Sequence, residues 1–268
     1  MAFTIALAQC RRPEDGDVVA SVRRWAQHAY EQHADMLVFP EALMTKYDGS
    51  IERFIQQAQP LDGPFAQAID ATAASFGLWI VYSMNEQAGG SDKSTLPFNT
   101  AIITGPDGKK QAVYRKVHLF DAQGERESSR MAAGDTLMRP ITTPFATIGL
   151  GICYDLRFPE VALNAALAGA QLMLYPAAWV SGPGKIAQWE TLLRARAIEN
   201  GMFVAGVSSA DAGRIGHSCI FGPDGTPLAI GADEIEDLVT YKIDLSEIER
   251  ARSRTPSLEH RRPECYRR

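Results

Sequence analysis

Three residues of this 268-residue chain stand where their side chains could do chemistry: Cys153, Glu41 and Lys116. Cys153 follows a strand-like run at 147–152, and a helix is expected from about Pro159. A strand-to-helix turn exposes a side chain and leaves backbone N–H groups beside it, which suits a nucleophile next to an oxyanion site. A lone cysteine at the end of a buried strand is also commonly inert packing, so position alone does not decide. Glu41 follows the apolar run 36–40, at the carboxyl end of an expected central strand where α/β proteins place functional groups. Such a carboxylate is either salt-bridged or lifted by burial from about 4.3 toward neutrality, which makes it a usable base. Lys116 closes the second strand of an expected hairpin, where a lysine serves either solubility or a cleft.

The elements that must position these residues follow from the apolar pattern. Residues 3–9 alternate like a strand, and Val18, Val22, Trp25, Ala26 and Ala29 recur at helical spacing behind a capping Asp17. A helix opened by Pro64 and closed by Gly77 leads to a strand at 78–84. Strands at 98–104 and 111–115 flank Gly105-Pro106-Asp107-Gly108, a composition made for a tight reversal. The same grammar returns later: a helix at about 159–168, a strand at 172–175, a helix at 185–200, a strand at 202–207 and a second turn, Gly222-Pro223-Asp224-Gly225.

Laying residues 34–42 over residues 170–178 aligns two apolar strands that end in Pro40 and Pro176, with Glu41 falling on Ala177. The offset shrinks along the chain, as loops of unequal length make it do. This predicts two equivalent halves, each a sheet covered by helices, packed sheet to sheet as a four-layer α-β-β-α sandwich with an internal pseudo-twofold. The expected domain spans 1–254, followed by a basic tail at 255–268 that carries Arg261, Arg262, Arg267 and Arg268.

Composition narrows the function. Hydrophobic residues make up 46% of the chain, enough for a sizeable core, and a net charge of −5 gives no electrostatic reason to bind nucleic acid or an anionic membrane. A small soluble substrate fits better. Cys10, Cys153, Cys219 and Cys265 form no C-x-x-C pair, so neither a metal site nor a disulfide framework is expected, and the thiols read as reduced and cytoplasmic. The first residues do not read as a signal peptide, and no apolar run approaches the roughly 18 residues of a membrane span.

Phe39-Pro40-Glu41, Tyr114-Arg115-Lys116-Val117-His118-Leu119 and Gly151-Ile152-Cys153-Tyr154-Asp155-Leu156-Arg157-Phe158-Pro159-Glu160 resemble, in order, the glutamate, lysine and cysteine motifs of the nitrilase superfamily of carbon–nitrogen hydrolases. The resemblance implies the same four-layer fold, a Glu41–Lys116–Cys153 triad, and no metal or organic cofactor. It also implies that Glu127 is a fourth site residue orienting Lys116 and substrate, that Glu41 and Lys116 raise the thiolate fraction of Cys153, and that the Tyr154 N–H joins Lys116 in holding the oxyanion.

Residues 157–160 and 193–200 look most like the branch that cleaves ω-amides of dicarboxylates and deaminated glutathione. Tyr47, six positions after Glu41, matches a tyrosine of that branch and is expected at the substrate. Arg157 is expected either to bind substrate or to anchor its loop. Trp179 stands where related ω-amidases carry phenylalanine, which implies a differently shaped pocket. The alternatives are an N-carbamoyl amine hydrolase, a nitrilase, a papain-like peptidase using His118 or His217, and an inactive interaction protein of the same fold. The resemblance further implies a homodimer or higher homo-oligomer, with the basic tail at its interface.

Overall fold

The computed structural model describes residues 2–13, 16–45, 51–89 and 96–266. β1 (Ala2–Gln9) leads into α1 (Val18–Glu31), which starts where the Asp17 carboxylate accepts the Ala20 N–H at 2.9 Å. β2 (Met36–Val38), α2 (Ile51–Gln57), α3 (Pro64–Phe76) and β3 (Trp79–Glu86) follow. β4 (Phe98–Thr104) and β5 (Lys110–Arg115) form the first hairpin. The second half runs β6 (Ile141–Thr142), β7 (Thr147–Leu150), α4 (Pro159–Leu167), β8 (Leu172–Ala177), α5 (Lys185–Asn200) and β9 (Phe203–Ser208). It ends in the hairpin β10 (Cys219–Phe221) and β11 (Pro227–Ile230), then β12 (Asp237–Asp244) and α6 (Ser246–Arg254).

The strands form two six-stranded sheets, ordered β12-β1-β2-β3-β4-β5 and β11-β10-β9-β8-β7-β6. In each, three consecutive parallel strands (β1, β2, β3 and β7, β8, β9) carry the crossover helices, and antiparallel strands continue both edges. The connectivity of the first half is thus repeated in the second, as the aligned strand ends predict.

Side-chain alternation explains the layering. In β2, Met36 and Val38 face the other sheet while Leu37 packs toward α1 and α3. In β8, Leu172 and Leu174 face the first sheet, while Met173, Tyr175 and Ala177 pack against α4 and α5. Both faces of each sheet are therefore buried, which is why these strands read as continuous apolar runs. The result is a four-layer α-β-β-α sandwich.

The sequence pattern did not assign α2, the short β6, β12 or α6. β12 lies antiparallel along the whole of β1, with Ala2 opposite Asp244 and Gln9 opposite Asp237, so the chain's last strand closes the sheet begun by its first. Beyond α6, the Ser257 hydroxyl donates to the Glu199 carbonyl at 3.0 Å and Leu258 packs on the α4/α5 cluster. That part of the basic tail rests on its own domain.

Candidate active site

Cys153 sits just past β7 at φ 46°, the left-handed region that non-glycine residues rarely enter, and opens a 3-10 turn over Cys153–Arg157 ahead of α4. Two features hold this bend. Gly151 leaves room for the buried ring of Tyr175, whose Cε1 would lie 2.8 Å from an added Cβ. Gly151→Ala is therefore expected to lower stability by about 1–3 kcal/mol, measured as a shift in denaturant midpoint; an unchanged midpoint would show that Tyr175 gives way. Asp155, fully buried, accepts the Ile152 N–H at 2.8 Å and ties the bend down from inside. The Tyr154 N–H lies in the first turn, among the amides that a helical turn leaves without an internal acceptor.

Glu41 leaves the end of β2 and reaches across to the other sheet. Its Oε2 accepts the Ala178 N–H at 2.9 Å, just past the end of the matching strand β8. Its Oε1 accepts from Lys116 Nζ and from Asn99 Nδ2, both at 2.8 Å. Lys116, one residue past β5, is fixed by its own N–H to the Asn99 carbonyl at 2.9 Å. Its ammonium is shared with Glu127 Oε2, also at 2.8 Å, and that oxygen accepts the Phe120 N–H at 2.7 Å. Asn99 bridges the two carboxylates, donating to Glu127 Oε1 at 3.2 Å. Glu41, Lys116 and Glu127 are each no more than 3% exposed. A buried lysine between two carboxylates is the compensated arrangement that burial of charge demands.

Cys153 and Glu41 line the same pocket, and the two groups move apart in acidity. Burial pushes Cys153 well above its ordinary range, the Glu41 charge adds to this, and Lys116 only partly opposes it. Burial also pushes Glu41 upward, but the Lys116 charge and hydrogen bonds from Lys116 and the Ala178 N–H outweigh it, so Glu41 lies below its ordinary value. The resting pair is a neutral thiol beside a carboxylate. Of the two roles expected for Glu41, the geometry shows the salt-bridged one, and its acidity moves down rather than toward neutrality.

Glu41, Lys116, Glu127 and Cys153 line one pocket of about 550 Å³, counted to its open mouth, together with the expected Tyr154, Arg157 and Trp179. Tyr154 packs edge-on against Phe120 and Phe158. Trp179 forms a wall: its indole is buried against Trp189 and covered by the Arg157 guanidinium at 5.0 Å. Tyr47 lies outside the described residues. His118 is engaged by Asp155 and stacked on Phe158, and His217 is held between Glu190 and Asp233. Neither histidine lines this pocket, so the geometry gives a peptidase-type cysteine–histidine pair no support.

Sequence reasoning missed Asn99, the Ala178 N–H, Asp155, Lys185 and Arg214. Asn99 alone left a signal, an amide inside a strand where asparagine is depleted. Among the described residues, no group of three or more His, Cys, Asp or Glu side chains is arranged to hold a metal ion, and no helix is long and apolar enough to cross a membrane.

A family model described as carbon-nitrogen hydrolase matches residues 4–253. The chain belongs to that family. This carbon–nitrogen hydrolase is 36% identical over 279 residues to a nitrilase and fragile histidine triad fusion protein of Drosophila melanogaster, a match covering 98% of the chain and 58% of the relative. It is 38% identical over 224 residues to deaminated glutathione amidase of Bos taurus, covering 78% of the chain and 66% of the relative. The chain thus spans less than two thirds of the length of these curated relatives. A Glu→Gln variant of the amidase from Nesterenkonia sp. AN1, solved with acrylamide added to its active-site cysteine, is similar at a TM-score of 0.82 and 26% identity, over 98% of each chain.

Proposed function

We propose that this carbon–nitrogen hydrolase is an amidase that cleaves the ω-amide of a small carboxylate through a thioester on Cys153. The observation that carries the proposal is that Cys153, Glu41 and Lys116 come from three separate strand ends to line one pocket, with the Lys116 ammonium hydrogen-bonded to the Glu41 carboxylate. Because the thiol rests neutral, attack is coupled to proton transfer: Glu41 takes the thiol proton as the sulfur bonds to the amide carbon. The oxyanion forms against the Lys116 ammonium and the Tyr154 N–H, donors typically worth ~3 kcal/mol each in such sites. Glu41 passes its proton to the nitrogen, the C–N bond breaks and ammonia leaves. Water then gives a proton to Glu41 and its oxygen to the thioester carbon. The C–S bond breaks, Glu41 returns the proton to sulfur, and the carboxylate product departs. Glu127 and Asn99 keep Lys116 and Glu41 in place throughout.

The test is ammonia release from a panel of ω-amides, N-carbamoyl amines and nitriles, with acid-quenched protein analysed by mass spectrometry. The ω-amides are expected to lead in kcat/KM by at least about tenfold, and an acyl adduct is expected on the peptide containing Cys153. Preference for N-carbamoyl amines would replace the substrate assignment, and an adduct elsewhere would remove the mechanism. A homodimer belongs to the same proposal; sedimentation showing only monomer at micromolar concentration would contradict it.

A further inference from the structure

The pocket holds more positive charge than the chemistry uses. Five cations and three carboxylates line it, in a chain whose net charge is −5. Lys116 is taken by Glu41 and Glu127, and Arg130 pairs with Glu125 at 2.8 Å. Arg157, Lys185 and Arg214 remain, and among the described residues no carboxylate forms an ion pair with any of them. Arg157 and Lys185 are instead anchored to neutral side chains: Arg157 Nη2 donates to Gln188 Oε1 at 2.9 Å and Lys185 Nζ donates to Gln123 Oε1 at 2.5 Å. Arg214 is brought in by a β-bridge to Val180, next to Trp179.

Holding like charges together costs free energy unless something offsets it. Burial first, and then the charge of Arg157, keep the Lys185 ammonium below its ordinary range. Lys185 is therefore within electrostatic reach of the arginine, on the pocket that Cys153 also lines. It is also the first residue of α5, whose positive end adds to the same side. All three cations are only partly buried, so a ligand in the pocket can reach them.

The geometry points to Lys185 and Arg214, together with Arg157, as an anion subsite that takes the carboxylate at the non-scissile end of the substrate. Neither Lys185 nor Arg214 belongs to the glutamate, lysine or cysteine motif. The anchoring through Gln123 and Gln188 is what makes a site of the cluster: an amide carbonyl fixes each cation without cancelling its charge, leaving the remaining donors for a ligand. A substrate carboxylate supplies the missing negative charge, and because the same pocket holds Cys153 the substrate that fits is a monoamide of a dicarboxylic acid. The inference rests on the amidase proposal and names the group that recognises its substrate.

The test compares succinamate with butyramide, which replaces the carboxylate by a methyl group, in wild type, Lys185→Gln, Arg214→Gln and Lys185→Arg. The ratio of kcat/KM for succinamate over butyramide is expected to fall at least tenfold in both glutamine variants, through KM for succinamate, and to recover in Lys185→Arg. An unchanged ratio in both glutamine variants overturns the subsite, as does an equal loss on the two substrates. If wild type hydrolyses neither amide, the amidase proposal fails, and the subsite is judged by titrating succinate into Cys153→Ala protein in a calorimeter. Binding that Lys185→Gln weakens at least tenfold upholds the subsite. Absent binding, or binding indifferent to Lys185, overturns it.

Discussion

Replacing Glu41 with glutamine is expected to slow amide hydrolysis by about 10²–10⁴-fold, the range for loss of a positioned general base, while making the Cys153 thiol easier to ionise. The two effects pull in opposite directions because Glu41 does two things to the sulfur. As a base it removes the proton during attack. As a fixed negative charge at the same pocket, it raises the cost of forming a second negative charge on the sulfur. Glutamine preserves the shape and removes both effects, leaving Lys116 paired with Glu127 alone. Hydrolysis should collapse, and the pH midpoint for alkylation of Cys153 by iodoacetamide should move down. A midpoint that stays put or rises would show that Glu41 does not set the resting protonation of the thiol, and the coupled proton transfer would lose its basis.

That opposition was not legible in the sequence, although the residues were. Cys153, Glu41 and Lys116 stand at strand ends that the apolar runs mark, and the repeated strand–helix grammar was sufficient to predict two sheets packed face to face. The direction of the acidity shifts depends on partners that no local pattern reveals. Glu41 is held down by Lys116, 75 residues away, and by the Ala178 N–H, 137 residues away. The first contact exists only once β5 has joined the sheet that holds β2, and the second only once the two sheets have packed. The alignment of residues 34–42 with 170–178 did contain a trace of this, because it placed Glu41 and Ala178 at corresponding strand ends. β12 was missed for a related reason: Leu238, Val239, Tyr241 and Ile243 mark a strand, but nothing local indicates that its partner is β1 at the other end of the chain. Lys185 and Arg214 lie in segments that read as ordinary loop and helix start, and only the pocket gives their charges a common meaning.

Asp155 leads to a second large effect, and it concerns how the lysine and cysteine segments are kept in register. Its Oδ2 accepts the Tyr114 hydroxyl and the Ile152 N–H, both at 2.8 Å, and its Oδ1 faces the His118 N–H at 3.2 Å and His118 Nδ1 at 2.7 Å. Tyr114 and His118 lie on either side of Lys116 in the chain, and Asp155 follows Cys153 by one residue, Tyr154. One buried carboxylate therefore brackets the lysine and clamps both flanks to the cysteine bend. Burial first, and then the Asp155 charge, push the Tyr114 hydroxyl far above its ordinary range, so it stays a donor. Asp155→Ala strands the buried Tyr114 hydroxyl and Ile152 N–H at about 1–3 kcal/mol each; the expected loss of stability is about 4 kcal/mol, measured by denaturant unfolding. Asp155→Asn keeps the shape and one acceptor oxygen, so it should lose less stability while lowering kcat more than it changes KM, because Lys116 and the sulfur shift relative to each other rather than away from substrate. If kcat per folded molecule stays at the wild-type value in both variants, the bracket holds the fold but does not set the distance between the ammonium and the thiol.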